Sequence, residues 1–161
     1  MLTAVIRAPG QPQALAATFA VLIPAVADGF FGHAVVVDPV GSPQIERLAD
    51  ATGASYLRAA SGEGWNLGAQ QARGDNLLLL DAGDVPQPNW VQVLERHLLL
   101  HPLTPAILPA TGVAAALRER AGISFGGRRL RAGLLAPKAM VLAGRLGRAP
   151  VLLPVRRERA V

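Results

Sequence analysis

The 161-residue chain has no cysteine, so disulfide staples and thiolate chemistry are excluded. Its three histidines, His33, His97 and His101, are too scattered for a structural zinc site. His97 and His101 share a helical face at a spacing that can bind metal. No third ligand lies near them in sequence, so they are read as a surface pair. Aromatic residues make up 4% of the chain, and beyond residue 117 only Phe125 is one. That argues against base stacking, and no nucleic-acid partner is expected. No apolar run reaches about 18 residues, so no transmembrane helix is expected. The opening "MLTAVIRAPG" lacks a basic stretch and a long apolar core. No signal peptide is read there, and the default location is cytoplasmic. Acids are scarce at one end: residues 102–161 hold just Glu119 and Glu158.

What is present points to a packed domain. Hydrophobic residues make up 51% of the chain, and its length suits one domain with a real core, taken as residues 1–161. Charge is uneven. Residues 1–117 carry 5 basic and 9 acidic side chains; residues 118–161 carry 11 basic and 2 acidic. Such asymmetry suits an acidic partner or an anionic membrane surface, or simply a solvated arginine-rich face. Arginine is preferred to lysine throughout, which reads as genome composition rather than a chosen phosphate surface.

Strands and helices alternate. "LTAVIR" reads as a buried strand bounded by Pro9 and Gly10. In "QPQALAATFAVLIPAVADG", Leu15, Phe19, Leu22, Ile23 and Val26 keep helical spacing. Pro24 is expected to kink or end that helix, and Gly29 to stop the segment. "HAVVVD" is a second strand. "GSPQIERLADATG" is a helix, with Ser42 as N-cap, Pro43 at the first position and Gly53 at the end. "ASYLRA", "GWNLGAQQARG", "NLLLLD" and "PNWVQVLERHLLLH" give a strand, a helix, a strand and a helix. "TPAILPA", "RRLRAGLLAP" and "APVLLPV" are weaker strands, "GVAAALRERAG" and "KAMVLAGRLG" helices, and "RRERAV" a frayed tail. Nearly all-apolar strands alternating with helices predict an α/β fold: a mostly parallel central sheet with helices on both faces, a Rossmann-like three-layer sandwich. Ligands of such sheets bind beyond the carboxyl ends of the strands, where strand order switches. Those ends carry "RAP", Asp38, Arg58 and Asp81.

Three segments resemble the GT-A fold of family-2 glycosyltransferases. "VVVDPVGS" resembles the strand and turn that hold the nucleobase. "WNLGAQQARGDNLLLLDAGD" resembles the family's Asn-x-Gly-x-x-x-Ala-x-Gly helix and the strand ending in an Asp-x-Asp motif. "VPQPNWVQVLERHL" resembles the loop and helix that follow. The match covers about residues 2–101, the nucleotide-binding half. Residues 102–161 would be a shortened acceptor-side half with a basic tail. The resemblance implies transfer of a sugar from a nucleotide-diphospho-sugar donor to a glycan or lipid acceptor, in making a cell-surface polysaccharide or glycolipid. It implies a divalent metal, Mn²⁺ or Mg²⁺, clamped by Asp-x-Asp. Carried over, Pro9, Asp38, Asn66 and Gly68 would line the nucleotide site, and Asp81 with Asp84 would hold the metal. Peripheral contact with the inner membrane face through the basic segment, and a homodimer, fit the same picture.

The sequence departs from that pattern where the chemistry is heaviest. Gly83 stands where the second acid of Asp-x-Asp belongs. A turn at Ala82-Gly83 would have to swing Asp84 inward, which glycine permits. No catalytic base can be named, because Glu119 sits among arginines and reads as a solvated helix residue. Each candidate also has a plainer reading. Asp38 can cap its own turn, Asp81 and Asp84 can structure a loop, and Asn66 and Gly68 can serve helix packing. Trp65 and Trp90 read as packing residues. Gly62 and Gly64 form a Gly-rich turn into a helix that could receive phosphate. A catalytically degenerate protein that binds a nucleotide or a partner is the alternative. A nucleotidyltransferase ranks last, since "RAPGQPQAL" lacks a phosphate-gripping glycine cluster.

Overall fold

A computed structural model describes residues 1–60, 62–114, 117–118, 121 and 127–160. Strand β1 (Leu2–Arg7) leads through helix α1 (Pro12–Ala27) to β2 (Phe31–Asp38), α2 (Pro43–Thr52) and β3 (Ser55–Arg58). Helix α3 (Gly64–Gln71) then precedes β4 (Asn76–Asp81), β5 (Asp84–Pro86) and α4 (Trp90–Leu100). The remainder supplies β6 (Ala106–Ile107), β7 (Leu134–Pro137), α5 (Lys138–Leu142), β8 (Val151–Leu152) and β9 (Arg157–Arg159). The central sheet has seven strands in the order β3-β2-β1-β4-β7-β6-β8, and β5 and β9 form a second, two-stranded sheet. Among the described strands of the central sheet, β7 alone runs against the others.

The apolar strands explain why helices cover both faces. Side chains alternate across a strand, so a strand buried on both sides must be apolar at every position. In β4, Leu78 and Leu80 enter the core under α1, α2 and α4. Leu77 and Leu79 enter the opposite core under α3 and α5. All four are fully buried, and each such side chain contributes about 1.5–3 kcal/mol. Trp90 belongs to the first core, where it packs against Phe30 and Phe31. Trp65 belongs to the second.

Several local expectations need correction. Helix α1 does not end at Pro24 but runs on to Ala27. Proline lacks the N–H that would bond the Ala20 carbonyl, so the helix passes it with that one backbone bond unmade. Ser42 is at the N-cap of α2 but makes no side-chain cap; its backbone N–H bonds Asp38 instead. His97 is buried rather than at the surface. Its Nε2 lies 2.8 Å from the Thr104 carbonyl. A carbonyl can only accept, so that nitrogen carries the proton. The tail read as frayed forms strand β9, with Asp84, Val85 and Pro86 facing Arg159, Glu158 and Arg157 in antiparallel register. The helix over "GVAAALRERAG" is described at residues 113, 114, 117, 118 and 121 only. The reading of Glu119 lies outside the described residues, as does Phe125.

Gly68 shows how closely helix α3 sits on the sheet. A Cβ at that position would lie 2.4 Å from Val5 Cγ1 and 3.1 Å from Val37 Cγ2. Both valines are buried and β-branched, so neither can swing aside. Gly68→Ala should therefore lower stability by about 2 kcal/mol, the overpacking outweighing the gain of about 1 kcal/mol in helix propensity. Urea denaturation checks this; an unchanged or raised midpoint would show that the helix can lift off the sheet.

Candidate functional site

Strand order switches between β1 and β4, since the chain builds β2 and β3 on one side of β1 before β4 pairs on the other. Parallel pairing sets Arg7 opposite Asp81 at the carboxyl end of both strands. A cleft of about 240 Å³ opens there. Arg7 lines it from β1 and Pro9 from the turn after it, Val37 from β2 and Pro39 just beyond, Gly62 and Gly64 from the turn into α3 and its first residue, Asp81 from β4 and Arg159 from β9. Ligand pockets usually start at ~300 Å³, so this one is small for a whole ligand.

The charged groups interlock. Arg7 Nε and Nη2 each lie 2.8 Å from Asp81 Oδ1. The Arg7 guanidinium also stacks over the Trp65 ring, 4.0 Å from its centroid, which fixes its plane. Arg159 Nη1 lies 3.8 Å from Asp81 Oδ2 and 3.4 Å from Asp84 Oδ1. Behind them Asp84 is fully buried. Its Oδ2 accepts the Asp81 backbone N–H at 2.8 Å, and its Oδ1 accepts Arg157 Nη1 at 2.8 Å. Arg157 in turn donates to the carbonyls of Leu108 and Ala132.

Gly83 sets this arrangement. Its φ of +96° lies in the region that side chains avoid. Its N–H donates to Thr18 Oγ1 at 2.9 Å, and its carbonyl accepts from Ala160 at 2.7 Å. An acid at this position would strain the backbone. The turn does swing Asp84 inward, as glycine allows, but into the buried Arg157 pair.

The remaining candidates are tied up elsewhere. Asp38 is fully buried and does not line the cleft. Its Oδ1 accepts the Val40 N–H at 2.8 Å; its Oδ2 accepts the Ser42 N–H at 2.6 Å and the Tyr56 hydroxyl at 3.0 Å. Burial pushes its pKa up, but the amides of Gly41, Ser42 and Val40 and the Tyr56 hydroxyl outweigh it, and the net shift is downward. Asn66 donates to the Leu142 carbonyl at 2.8 Å and accepts from Gln70, joining α3 to α5. Gly68 is the close-packing position described above. The cleft thus brings together Pro9 and Asp81 of the six candidates, with the Gly62–Gly64 turn. Sequence reasoning missed Arg7 and Arg159 as site residues. Arg7 was visible as a charge ending an apolar strand; Arg159 gave no local signal.

A divalent ion does not fit these residues. Among the described residues Asp81 is the one acid that lines the cleft, and both its oxygens face guanidinium groups. Among the described residues, no three His, Cys, Asp or Glu side chains come together.

Solved structures share this architecture. Glucosyl-3-phosphoglycerate synthase from Mycobacterium tuberculosis, in complex with Mn²⁺, UDP and phosphoglyceric acid, matches with a TM-score of 0.65 at 18% identity, over 86% of this chain and 56% of that chain. The same enzyme with Mg²⁺ and UDP gives 0.64 at 17%, over 86% and 57%. A structure described only as that of a mycobacterial protein gives 0.66 at 17%, over 86% and 53%. The chain therefore spans a little over half the length of these structures. At such identities the likeness establishes the fold, which is the GT-A fold that the sequence resembles. No family model matches the sequence, and no curated protein does.

Two predictions follow the carboxylates. Asp84→Ala strips a buried guanidinium of its counter-charge and should cost about 3–5 kcal/mol. Glu158→Ala, on the exposed side of the same hairpin-like sheet, should cost within ~0.5 kcal/mol; equal losses in urea denaturation would refute the assignment. For Asp38, a pKa held below its ordinary value means stability that is present above the ordinary carboxylate range and lost as pH falls through the folded pKa. The stability gap between wild type and Asp38→Asn should shrink on acidification; a gap independent of pH would count against it.

Proposed function

We propose that this protein binds a nucleoside-diphospho-sugar at the β1/β4 cleft and serves the transfer of its sugar to a glycan or lipid acceptor. One observation carries the reading: a cationic cleft lies at the strand-order switch of a sheet with the GT-A fold. The structural neighbour crystallised with UDP supports it. Pro9 and the Gly62–Gly64 turn bring backbone close to the cleft, where little bulk opposes a phosphate. Of the 11 basic residues beyond 117, Arg157 and Arg159 belong to the buried pair and to the cleft; exposed ones such as Arg128, Arg129 and Arg148 are assigned to the acceptor side, toward an acidic glycan or a lipid surface.

A second reading, a GT-A-fold protein that holds a nucleotide or a partner without transferring sugar, is favoured by the state of the acids. Asp38 and Asp84 are bonded internally, and Asp81 is ion-paired. None is placed to take a proton from an acceptor hydroxyl.

A thermal-shift panel of UDP-, GDP-, CDP- and dTDP-sugars should show a saturable rise in Tm for one nucleotide. Release of free nucleotide on adding acceptor would then select the first reading over the second. A flat panel at millimolar ligand would overturn donor binding altogether.

A further inference from the structure

We infer that the cleft neutralises the diphosphate of its ligand with the guanidinium groups of Arg7 and Arg159, without a divalent cation. The inference rests on the donor-binding reading, and it starts from the misfit of a metal to this cleft. A hard divalent ion at a phosphate site needs around six oxygens, one or two of them from carboxylates not already paired with cations. Here the lining offers Asp81 alone, against two guanidinium groups. The net charge of the lining is positive, so the cleft attracts an anion and repels a cation.

Both arginines are built for that task. Arg7 is clamped between the Trp65 ring and Asp81, so its planar fork is oriented before any ligand arrives. Its contacts to Asp81 use Nε and Nη2, and its side chain keeps 40% of its surface exposed. Arg159 is positioned from below: its backbone pairs with Asp84, and the next residue donates to Gly83. Its side chain is 58% exposed and its contacts to carboxylates are long, at 3.4 and 3.8 Å. The long, partly exposed pair with Asp81 holds little free energy. A phosphate offers the same guanidinium shorter, charge-assisted and often bidentate bonds. Exchange of Asp81 for phosphate oxygens therefore favours the ligand. Arg157 takes no such part, since its guanidinium is buried against Asp84.

Strand β9 is thus the structural element that replaces the metal. It carries the cation across to the end of β4, where the fold's acidic pair would otherwise gather one.

Isothermal titration with inorganic pyrophosphate and with UDP, each in EDTA and in Mn²⁺, tests this. Both ligands should bind in EDTA, with Mn²⁺ changing either affinity by less than about twofold. Arg159→Gln should weaken both by about tenfold or more, and Arg159→Lys, a point charge without the fork, should restore part of the loss. Arg148→Gln, an exposed cation outside the cleft, should change neither. Circular dichroism of the variants checks that they fold. UDP binding that requires Mn²⁺, or that survives Arg159→Gln unchanged, overturns the inference while leaving donor binding intact. Pyrophosphate binding in EDTA without binding of UDP, or of GDP, CDP or dTDP titrated alike, has the opposite meaning: the anion site stands and the donor reading falls.

Discussion

The buried carboxylate of Asp84 is the point on which the carboxyl end of the sheet depends. It has no exposure to water, and both of its oxygens are answered from the protein. One bond fixes the backbone at the end of β4. The other holds Arg157, whose remaining donors reach carbonyls after β6 and before β7. Segments that are far apart in sequence are thereby drawn to one charged centre. A buried charge tolerates no loss of its partner, so this centre constrains everything around it, including the direction in which β9 offers Arg159 to the cleft.

Much of the fold is legible in residue order. "LTAVIR", "HAVVVD" and "NLLLLD" are apolar on both sides because helices cover both faces, and their succession with amphipathic helices leads to a mostly parallel sheet. Beyond Pro102, β6, β7 and β8 fall inside the weaker strand segments, though they are short. What local pattern did not reveal is pairing at long range. "RRER" has no apolar alternation and reads as solvent-exposed tail. It becomes a strand because β5 presents an edge to it and Asp84 a charge.

The site was less legible than the fold for the same reason. Asp81 and Pro9 sit where a strand end and its turn place them, and both line the cleft. Asp38, by contrast, looks in sequence like a ligand-facing acid, yet three backbone amides and Tyr56 claim it. Whether a carboxylate caps its own turn or faces a ligand depends on a few dihedral angles that no spacing encodes. The arginine excess, read as a matter of genome composition, conceals two residues with distinct placement: one stacked and paired in the cleft, the other carried in by the last strand.

The late arrival of β7 has a consequence for how this chain becomes folded. β4 is a central strand, yet its second neighbour is residues 134–137, more than fifty positions downstream. Contacts of such separation form slowly because loop closure must come first. While a ribosome is still making the later residues, a hydrogen-bonding edge backed by four leucines stands unpaired, and such an edge recruits any other extended chain that meets it. The leucines that give the finished sheet its stability are the ones that make its unfinished form the most prone to aggregate. Partial products ending before β7 are the forms of this protein that a cell would most need to chaperone or destroy.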